Sequence, residues 1–210
     1  MSKLLDNYEF ELGKKHIFNV EGTLKPFKNR LEEVSFETRK LDFWSLVRVI
    51  IGQQLSGKAA DTISKRVEIL DKSISNPEVF KSLKPQDIRS CGVSNQKVKC
   101  LLELAKFISE NPDYFSNLIR LSGDEMQKEL VKLNGIGPWS ATILTVFYCG
   151  QPDVMILGDV TINKVVNKLF GENVAENPKK LLDSVNHWRP YRSVGCIFCY
   201  QIFDRKMIEL

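Results

Sequence analysis

Asp159 carries a carboxylate at the predicted start of a helix, where it could act as a catalytic anion or base. It follows Gly158 and precedes an apolar helical face that begins at Ile162. Aspartate is a favoured helix N-cap, and this structural role alone would explain its position. The same placement would also fix the direction of the carboxylate, which could then face a developing positive charge or orient and deprotonate a water molecule. Asp153, six residues earlier, is the alternative candidate for this role.

The segment LNGIGPWSA, residues 133–141, is the most specific motif in the chain. It predicts two helices joined by a Gly-Ile-Gly turn, in which Ile136 is anchored in the core between Gly135 and Gly137. Glycine permits positive φ and close backbone approach, and the N-terminus of the next helix offers N–H groups without intrahelical partners. Together they would form a sequence-independent clamp for one phosphate. A tight helical hairpin without a ligand is the alternative, but the full pattern favours DNA binding.

Helices must position these residues, because apolar side chains recur at helical spacing along the chain after residue 40. Such faces extend from Leu41–Ile51 to a last helix that includes Val194 and Ile202. The stretch Tyr8–Thr23 could hold two short strands. We therefore predict an all-α protein with a short β-hairpin or strands near the N-terminus.

Length and composition fit one compact unit, which could have two lobes. The chain has 210 residues, of which 43% are hydrophobic and 27% charged, and this mixture excludes disorder and low complexity. Because no apolar run approaches the roughly 18 residues that span a bilayer, and the N-terminus does not resemble a secretory signal, no membrane partner is expected. The five cysteines are an odd number, which favours free thiols.

The net charge of +4 is small, but basic residues are concentrated in two stretches. Residues 14–30 contain five basic residues and one acid, and residues 81–106 contain six basic residues and two acids. Such stretches could follow a phosphate backbone, or they could be solvated helix faces.

The motif LNGIGPWSA resembles the helix-hairpin-helix of the DNA glycosylase superfamily, in which an aspartate follows the hairpin. Asp159 would be that aspartate, 24 residues beyond Gly135. The segments IIGQQLS (50–56) and WRPYRS (188–193) resemble the 3-methyladenine DNA glycosylase II branch. The resemblance covers residues 40–205 and implies a two-lobed helical glycosylase domain over 36–210, with the active site in the cleft between the lobes. It leaves the structure of the N-terminal segment 1–35 undefined.

The resemblance implies a monofunctional enzyme that releases alkylated purines, such as 3-methyladenine or 7-methylguanine, from duplex DNA. Asp159 would stabilise the oxocarbenium-like sugar that forms as the N-glycosidic bond breaks. Relatives that also cut the backbone carry a lysine two residues after the second hairpin glycine, where this chain has Trp139. An indole there would attract a cationic base. Trp188 and Tyr191 are further candidate pocket walls or, alternatively, core aromatics.

The segment Gln53–Ser56 is expected to contact DNA next to the gap that an everted base leaves in the duplex. The resemblance places an intercalating side chain here, and either Gln54 or Leu55 could supply it. A polar helix end, with Ser56 capping the next helix, is the alternative. The other predicted DNA contacts are Gln53, Lys58, Lys97, Gly135, Ile136, Gly137, Ser140 and Lys164.

Some relatives carry an iron–sulfur cluster, but Cys196 and Cys199 have no third and fourth cysteine nearby, so we expect neither a cluster nor a catalytic metal. A monovalent cation at the hairpin carbonyls would be compatible with the sequence. We expect a monomer that binds damaged duplex DNA, in the cytoplasm at the nucleoid of a prokaryote or in the nucleus of a eukaryote. The alternative functions are a non-enzymatic helix-hairpin-helix DNA-binding module and a bifunctional glycosylase/lyase of the endonuclease III kind.

Overall fold

The computed structural model describes residues 4–209, so residues 1–3 of the predicted segment 1–35 and residue 210 of the predicted domain 36–210 lie outside the described residues. Within 4–209 there is no strand, and the predicted all-α class is confirmed. None of the helices in this range combines the length and apolar composition that a membrane crossing requires. Two 3-10 helices span Gly22–Phe27 and Asn186–Trp188. The α-helices are α1 (Asn7–Val20), α2 (Lys28–Glu32), α3 (Phe43–Gly52), α4 (Gly57–Glu68), α5 (Pro77–Lys81), α6 (Pro85–Ser90), α7 (Asn95–Glu110), α8 (Tyr114–Leu118), α9 (Gly123–Leu130), α10 (Pro138–Phe147), α11 (Val160–Phe170), α12 (Pro178–Ser184) and α13 (Arg192–Asp204).

The expectation of strands near the N-terminus is wrong, because this stretch forms α1 and a 3-10 helix. The buried face of α1 includes Phe10, Gly13, Lys14 and Ile17, which follow helical spacing. Two of these four residues are a glycine and a lysine, so hydrophobicity alone does not reveal the helical period. The helix forms because tertiary partners accept both of them.

Those tertiary partners are specific. A Cβ at Gly13 would lie 2.6 Å from a methyl carbon of Val194, so only glycine allows α1 to pack this closely on α13. The ammonium of Lys14 donates to the carbonyl oxygens of Glu32 and Val34 at 2.8 and 3.0 Å. A buried lysine therefore satisfies the carbonyl of the last residue of α2 and a carbonyl just beyond the helix.

The described residues divide into two compact units. The outer unit consists of the residues up to Arg39 together with those from Thr145 onward, and the central unit spans Lys40–Leu144. Helices α3 to α9 and most of α10 belong to the central unit, whereas α1, α2, α11, α12 and α13 belong to the outer unit.

The core of the outer unit is built around α13, which packs against α1 and α11. The rings of Phe18 and Phe198 stack with their centroids 5.3 Å apart. Trp188 is fully buried. A Cβ at Gly195 would lie 2.1 Å from a ring carbon of this indole, so the indole packs directly on the backbone of α13.

In the central unit, α3 packs against α4 and α7, and α5 packs against α7. Helix α3 begins with a capping box, in which Asp42 accepts the N–H of Ser45 at 2.9 Å and Ser45 accepts the N–H of Asp42 at 3.1 Å. The box satisfies backbone donors that the helix leaves free, which fixes the start of α3. The end of α3 leads into the segment Gln53–Ser56.

A buried carboxylate, Glu21, connects the end of α1 to the later part of the outer unit. It is 3% exposed and accepts a hydrogen bond from Nε1 of Trp188 at 2.9 Å, and Nε2 of His187 lies 2.7 Å from the same oxygen. Thr23 donates its backbone N–H and its hydroxyl to the other oxygen. Burial raises the pKa of Glu21, but the hydrogen bonds from Trp188, Thr23 and His187 outweigh it and leave the pKa below its usual value.

We expect Glu21→Gln to reduce the free energy of unfolding at neutral pH by about 1 to 3 kcal/mol, because the buried donors lose a charged acceptor. Since the pKa of Glu21 is lowered in the folded protein, its stabilisation is present above the pKa of the unfolded chain and is lost as the pH falls through the folded value. Denaturant titrations at several values between about pH 7 and pH 3 should therefore show the two proteins converging in stability at low pH. A difference that stays constant would contradict a role for the charge.

Candidate active site

The predicted hairpin consists of the end of α9, the turn 131–137 and the start of α10. Gly135 has φ +86°, and a Cβ added there would lie 3.0 Å from the Cβ of Cys100 on α7. The side chain of Ile136 is buried, and its N–H donates to the carbonyl of Leu133 at 3.0 Å. The turn thus lies directly on α7, and both the positive φ and the close approach require glycine at 135.

The side-chain amide of Gln53 fixes this hairpin to the end of α3. Its Nε2 donates to the carbonyl oxygen of Gly135 at 2.7 Å and to the hydroxyl oxygen of Ser140 at 3.0 Å. Ser140 is itself buried. Gln53 and Ser140 were predicted as DNA contacts, and the structure engages both in a hydrogen bond within the central unit.

Lys97 on α7 is engaged in the same region. Its ammonium donates to the carbonyls of Ile51 and Gln53 at 2.8 and 2.7 Å, which belong to the last turn of α3 and to its C-cap. Burial lowers the pKa of Lys97. The lysine that the sequence assigned to a phosphate contact therefore caps the C-terminus of α3 in this structure.

A groove of about 810 Å³ follows the hairpin. It is lined by residues 131–140 together with Gln53, Gln54, Gln96 and Cys100. Trp139 contributes to this groove, and its side chain is 42% exposed. The groove thus brings the hairpin, the predicted aromatic position and the end of α3 together in the central unit.

The segment that joins α3 to α4 presents its side chains to solvent. Gln54 is exposed and adopts a left-handed φ of 58°, and Leu55 is 41% exposed. The hydroxyl of Ser56 accepts the N–H of Ala59 at 3.3 Å and caps α4, which is the structural role considered for it from the sequence. Lys58, in the first turn of α4, is exposed.

In the outer unit, Asp159 is the N-cap of α11 and is 6% exposed. Its Oδ1 accepts the backbone N–H groups of Thr161 and Ile162 at 2.9 and 3.0 Å. Its Oδ2 accepts the hydroxyl of Tyr200 at 2.8 Å. The carboxylate is therefore held at both oxygens, at the end of the helix where the dipole favours negative charge.

Tyr200, on α13, was not identified as a site residue from the sequence. Burial raises its pKa well above the usual value, and the negative charge of Asp159 and the hydrogen bond to it act in the same direction. The phenol therefore keeps its proton and remains a donor. A single tyrosine on an apolar helix carries no local signal of a partner 41 residues away, so sequence reasoning had no means of finding it.

Asp153, the alternative carboxylate, is occupied by two guanidinium groups. Arg192 Nε lies 2.6 Å from its Oδ1, and Arg189 Nη1 lies 2.8 Å from its Oδ2. Arg192 also donates to the backbone carbonyl of Asp153 at 2.7 Å. This ion-pair cluster fixes the loop before α11 and gives Asp153 a structural role.

Trp188 and Tyr191, the other two aromatic residues predicted as pocket walls, lie in different environments. Trp188 is fully buried and donates to Glu21, so it is a core residue and the expectation that it lines a pocket is not met. The hydroxyl of Tyr191 donates to Glu9 at 3.0 Å, and its ring lies 5.6 Å from the ring of His16. Tyr191 is only partly buried.

Lys164 lies on the exposed side of α11. Its ammonium is 5.8 Å from the centroid of the Phe203 ring, a cation–π contact with α13. The side chain therefore has an aromatic support and a solvent-exposed charge.

Among residues 4–209, no group of three or more His, Cys, Asp or Glu side chains could hold a metal ion. The five cysteines are free and buried. Burial raises the pKa of Cys196 to about 12 and that of Cys199 well above its usual value. Both thiols therefore remain protonated on the buried face of α13. Of the hairpin carbonyls considered for a monovalent cation, that of Gly135 accepts a hydrogen bond from the side chain of Gln53.

The helical fold, the Gly-Ile-Gly hairpin and an aspartate at the start of a later helix together define a class. The family model described as the HhH-GPD superfamily of base excision DNA repair proteins matches residues 47–190. The chain therefore belongs to this superfamily. The matched region contains the segment at the end of α3, the hairpin and Asp159.

Curated relatives and solved structures agree with this family. DNA-3-methyladenine glycosylase 1 of Schizosaccharomyces pombe is 32% identical over 70% of this chain and 63% of its own length. The DNA-3-methyladenine glycosylase of Saccharomyces cerevisiae is 28% identical over 96% of this chain and 73% of its own. The crystal structure of a Bacillus halodurans DNA-3-methyladenine glycosidase superimposes with a TM-score of 0.77 at 28% identity, covering 94% of this chain and 90% of that chain.

The chain is shorter than some of these relatives. It spans 63% of the Schizosaccharomyces pombe protein and 58% of a Bacillus subtilis relative that is 26% identical over 76% of this chain. It thus corresponds to less than two thirds of either protein.

We expect Gly135→Ala to destabilise the protein by about 1 to 3 kcal/mol, because a Cβ at positive φ is strained and would also press on Cys100. Gly137→Ala is the matched control, since a Cβ there meets no atom within 4 Å and φ is not in the left-handed region. Thermal and denaturant unfolding of both variants would measure the difference. Equal stability of the two variants would show that the turn does not require glycine at 135.

Proposed function

We propose that this protein is a monofunctional DNA glycosylase. It hydrolyses the N-glycosidic bond of alkylated purines of the 3-methyladenine and 7-methylguanine type in duplex DNA, after the base is flipped out of the stack, and so initiates base excision repair. Membership of the HhH-GPD superfamily and the names of the relatives support this proposal. The proposal extends to damaged duplex DNA as the partner and to a monomeric enzyme.

The observation that carries the proposal is the held carboxylate of Asp159. Cleavage of an N-glycosidic bond builds positive charge on the deoxyribose, and an oriented anion stabilises that charge more in the transition state than in the ground state. Two backbone N–H groups and the hydroxyl of Tyr200 already fix the direction of this carboxylate. Little reorganisation is then needed as the charge develops. The same carboxylate can orient the attacking water.

The hairpin supports DNA binding through the phosphate backbone. The glycine-rich turn and the first turn of α10 offer backbone N–H groups that are not all used within the helix, next to the positive end of its dipole. A phosphate bound there requires no base contact, so binding is independent of sequence. The exposed ammonium groups of Lys58 and Lys164 suit further phosphate contacts, whereas that of Lys97 caps α3.

Trp139 supports both the substrate class and the reaction subtype. Alkylation at ring nitrogens gives a purine a positive charge and makes it a better leaving group, and an indole face attracts such a cation by about 0.5 to 2 kcal/mol. Trp139 also occupies the position at which backbone-cutting members carry a Schiff-base lysine, by the resemblance described above. Without an amine there, water is the nucleophile and an abasic site is the product.

Asp159→Asn tests the proposal. We expect release of 3-methyladenine and 7-methylguanine from methylated duplex DNA to fall by about 100-fold or more, because the variant loses the charge that faces the sugar. The measurement is chromatography of the freed bases. The asparagine oxygen can still accept the N–H groups of Thr161 and Ile162, and the Tyr200 hydroxyl can turn to accept from the new amide nitrogen, so α11 keeps its cap and the protein its fold.

Two controls accompany this assay. The unfolding curve of the variant should match that of the wild type, and its affinity for undamaged duplex should stay within about threefold of the wild-type value. Wild-type protein that binds DNA but frees no base would instead indicate the helix-hairpin-helix binding module. Unchanged release by Asp159→Asn would show that another group carries the reaction.

Because the side chain at position 139 is an indole and not an amine, we expect no covalent intermediate between the protein and the sugar. When the wild-type protein is incubated with methylated DNA and borohydride, we expect no trapped protein–DNA adduct, and we expect the product strand to break only after treatment with hot alkali. A trapped adduct, with strand cleavage in the absence of alkali, would identify the bifunctional reaction of the endonuclease III kind.

Hydrolysis by a carboxylate and water requires no redox group or Lewis acid, so we propose that the reaction proceeds without a cofactor. A monovalent cation at the hairpin carbonyls would serve DNA binding and would take no part in bond cleavage. EDTA is therefore expected to leave base release unchanged. A change of the monovalent salt from sodium to potassium is expected to affect DNA binding and not bond cleavage.

A further inference from the structure

The 53–56 turn, which joins α3 to α4, contains an unusual backbone conformation. Gln54 has φ 58°, a left-handed value that costs a residue with a Cβ about 1 to 2 kcal/mol. Its side chain is exposed, so no buried contact of its own offsets this strain. The surrounding structure must therefore hold the turn in place, and strain of this kind typically occurs where a side chain has to be presented.

Hydrogen bonds hold the turn on either side of the strained residue. Lys97 donates to the carbonyls of Ile51 and Gln53, so the backbone immediately before Gln54 is fixed to α7. Beyond it, the N–H of Leu55 donates to the carbonyl of Gly52 at 3.2 Å, which closes the turn. Gln54 is thus the one residue of this closed turn that combines a left-handed φ with an exposed side chain.

Gln53 connects this turn to the hairpin. Its backbone carbonyl accepts from Lys97, while its side-chain Nε2 donates to Gly135 and Ser140. Both hydrogens of one amide are therefore used on the hairpin, on either side of Gly137. A single residue links the turn that presents Gln54 to the backbone that would hold a phosphate.

We propose that Gln53 is a positioning residue that couples the phosphate clamp to the wedge, the intercalating side chain that the resemblance places in the 53–56 turn, and that the wedge is Gln54 rather than Leu55. This inference rests on the proposed function. When the hairpin binds a phosphate, the amide of Gln53 keeps the 53–56 turn in register with it, so that Gln54 is carried against the base stack. Lys97 reinforces the turn from α7, and neither Gln53 nor Lys97 touches the DNA.

The chemistry of Gln54 suits a wedge that replaces an everted base. Its amide has both donors and an acceptor, so it can occupy the gap and hydrogen-bond the edge of the base left without its partner. Leu55 could fill the space but could not satisfy those polar edges. The turn geometry and the side-chain chemistry thus favour the same residue.

The test is a double-mutant cycle with Gln53→Met and Gln54→Ala. Methionine keeps the length of Gln53 and removes its two donors. The readouts are the fluorescence of a 2-aminopurine placed opposite a methylated purine, which reports insertion into the duplex, and the single-turnover rate of base release. We expect each single variant to reduce both by about 10-fold, the equivalent of one or two hydrogen bonds.

If Gln53 acts through Gln54, the double variant is no worse than the poorer single variant, because the second change removes nothing further. Losses that multiply to about 100-fold would overturn the coupling. So would a Gln53→Met protein that is less stable but inserts and reacts like the wild type, because that result assigns Gln53 a purely structural role. Gln86→Met, an exposed glutamine on α6, is the matched control for the substitution itself.

The two proposals fail in different ways. Wild-type protein that neither inserts into the duplex nor frees a base overturns the proposed function and this inference with it. Wild-type protein that does both, with Gln53→Met indistinguishable from it, overturns this inference alone. Affinity for undamaged duplex, which depends on the phosphate clamp, should stay within about threefold of wild type in each variant.

Discussion

The fixed direction of one carboxylate is the constraint on which the proposed chemistry depends. Asp159 has its two oxygens held by backbone N–H groups of α11 and by the hydroxyl of Tyr200. An anion that is already oriented and largely removed from bulk water stabilises developing positive charge without waiting for solvent to rearrange. In the proposed function, the clamp on phosphate and the displacement of a base would serve to bring a sugar to such a group. The same side chain therefore has two roles, because the carboxylate that caps α11 is also the proposed catalytic group.

A buried or half-buried charge at a helix end recurs in this protein and serves mainly to fix turns. Lys14 binds the carbonyls at the end of α2, Lys97 binds those at the end of α3, and Glu21 accepts donors where α1 ends. A buried charge is costly unless it meets polar partners, and the unpaired backbone groups of a helix terminus are such partners. Each of these side chains fixes a connection between helices.

Much of the helical fold follows from local sequence. The apolar period and the capping residues identify most helices after residue 40, because both signals act within one or two helical turns. The N-terminal helix was not predicted, since Gly13 and Lys14 lie on its buried face and interrupt the apolar pattern. Their burial becomes favourable only when α13 and the end of α2 are in place. The error therefore arose where tertiary contacts override local pattern.

The sequence by itself determined the hairpin, the cap at Asp159 and the aromatic residue at 139, because each depends on neighbours within a few positions. Tertiary structure alone decided that Gln53 and Lys97 are used inside the protein, that Trp188 is a core residue and that Tyr200 holds the carboxylate. Their partners lie between 41 and 167 residues away along the chain. Whether a polar or aromatic side chain is free to meet a ligand depends on which distant groups the fold brings to it, and spacing along the chain does not contain that information.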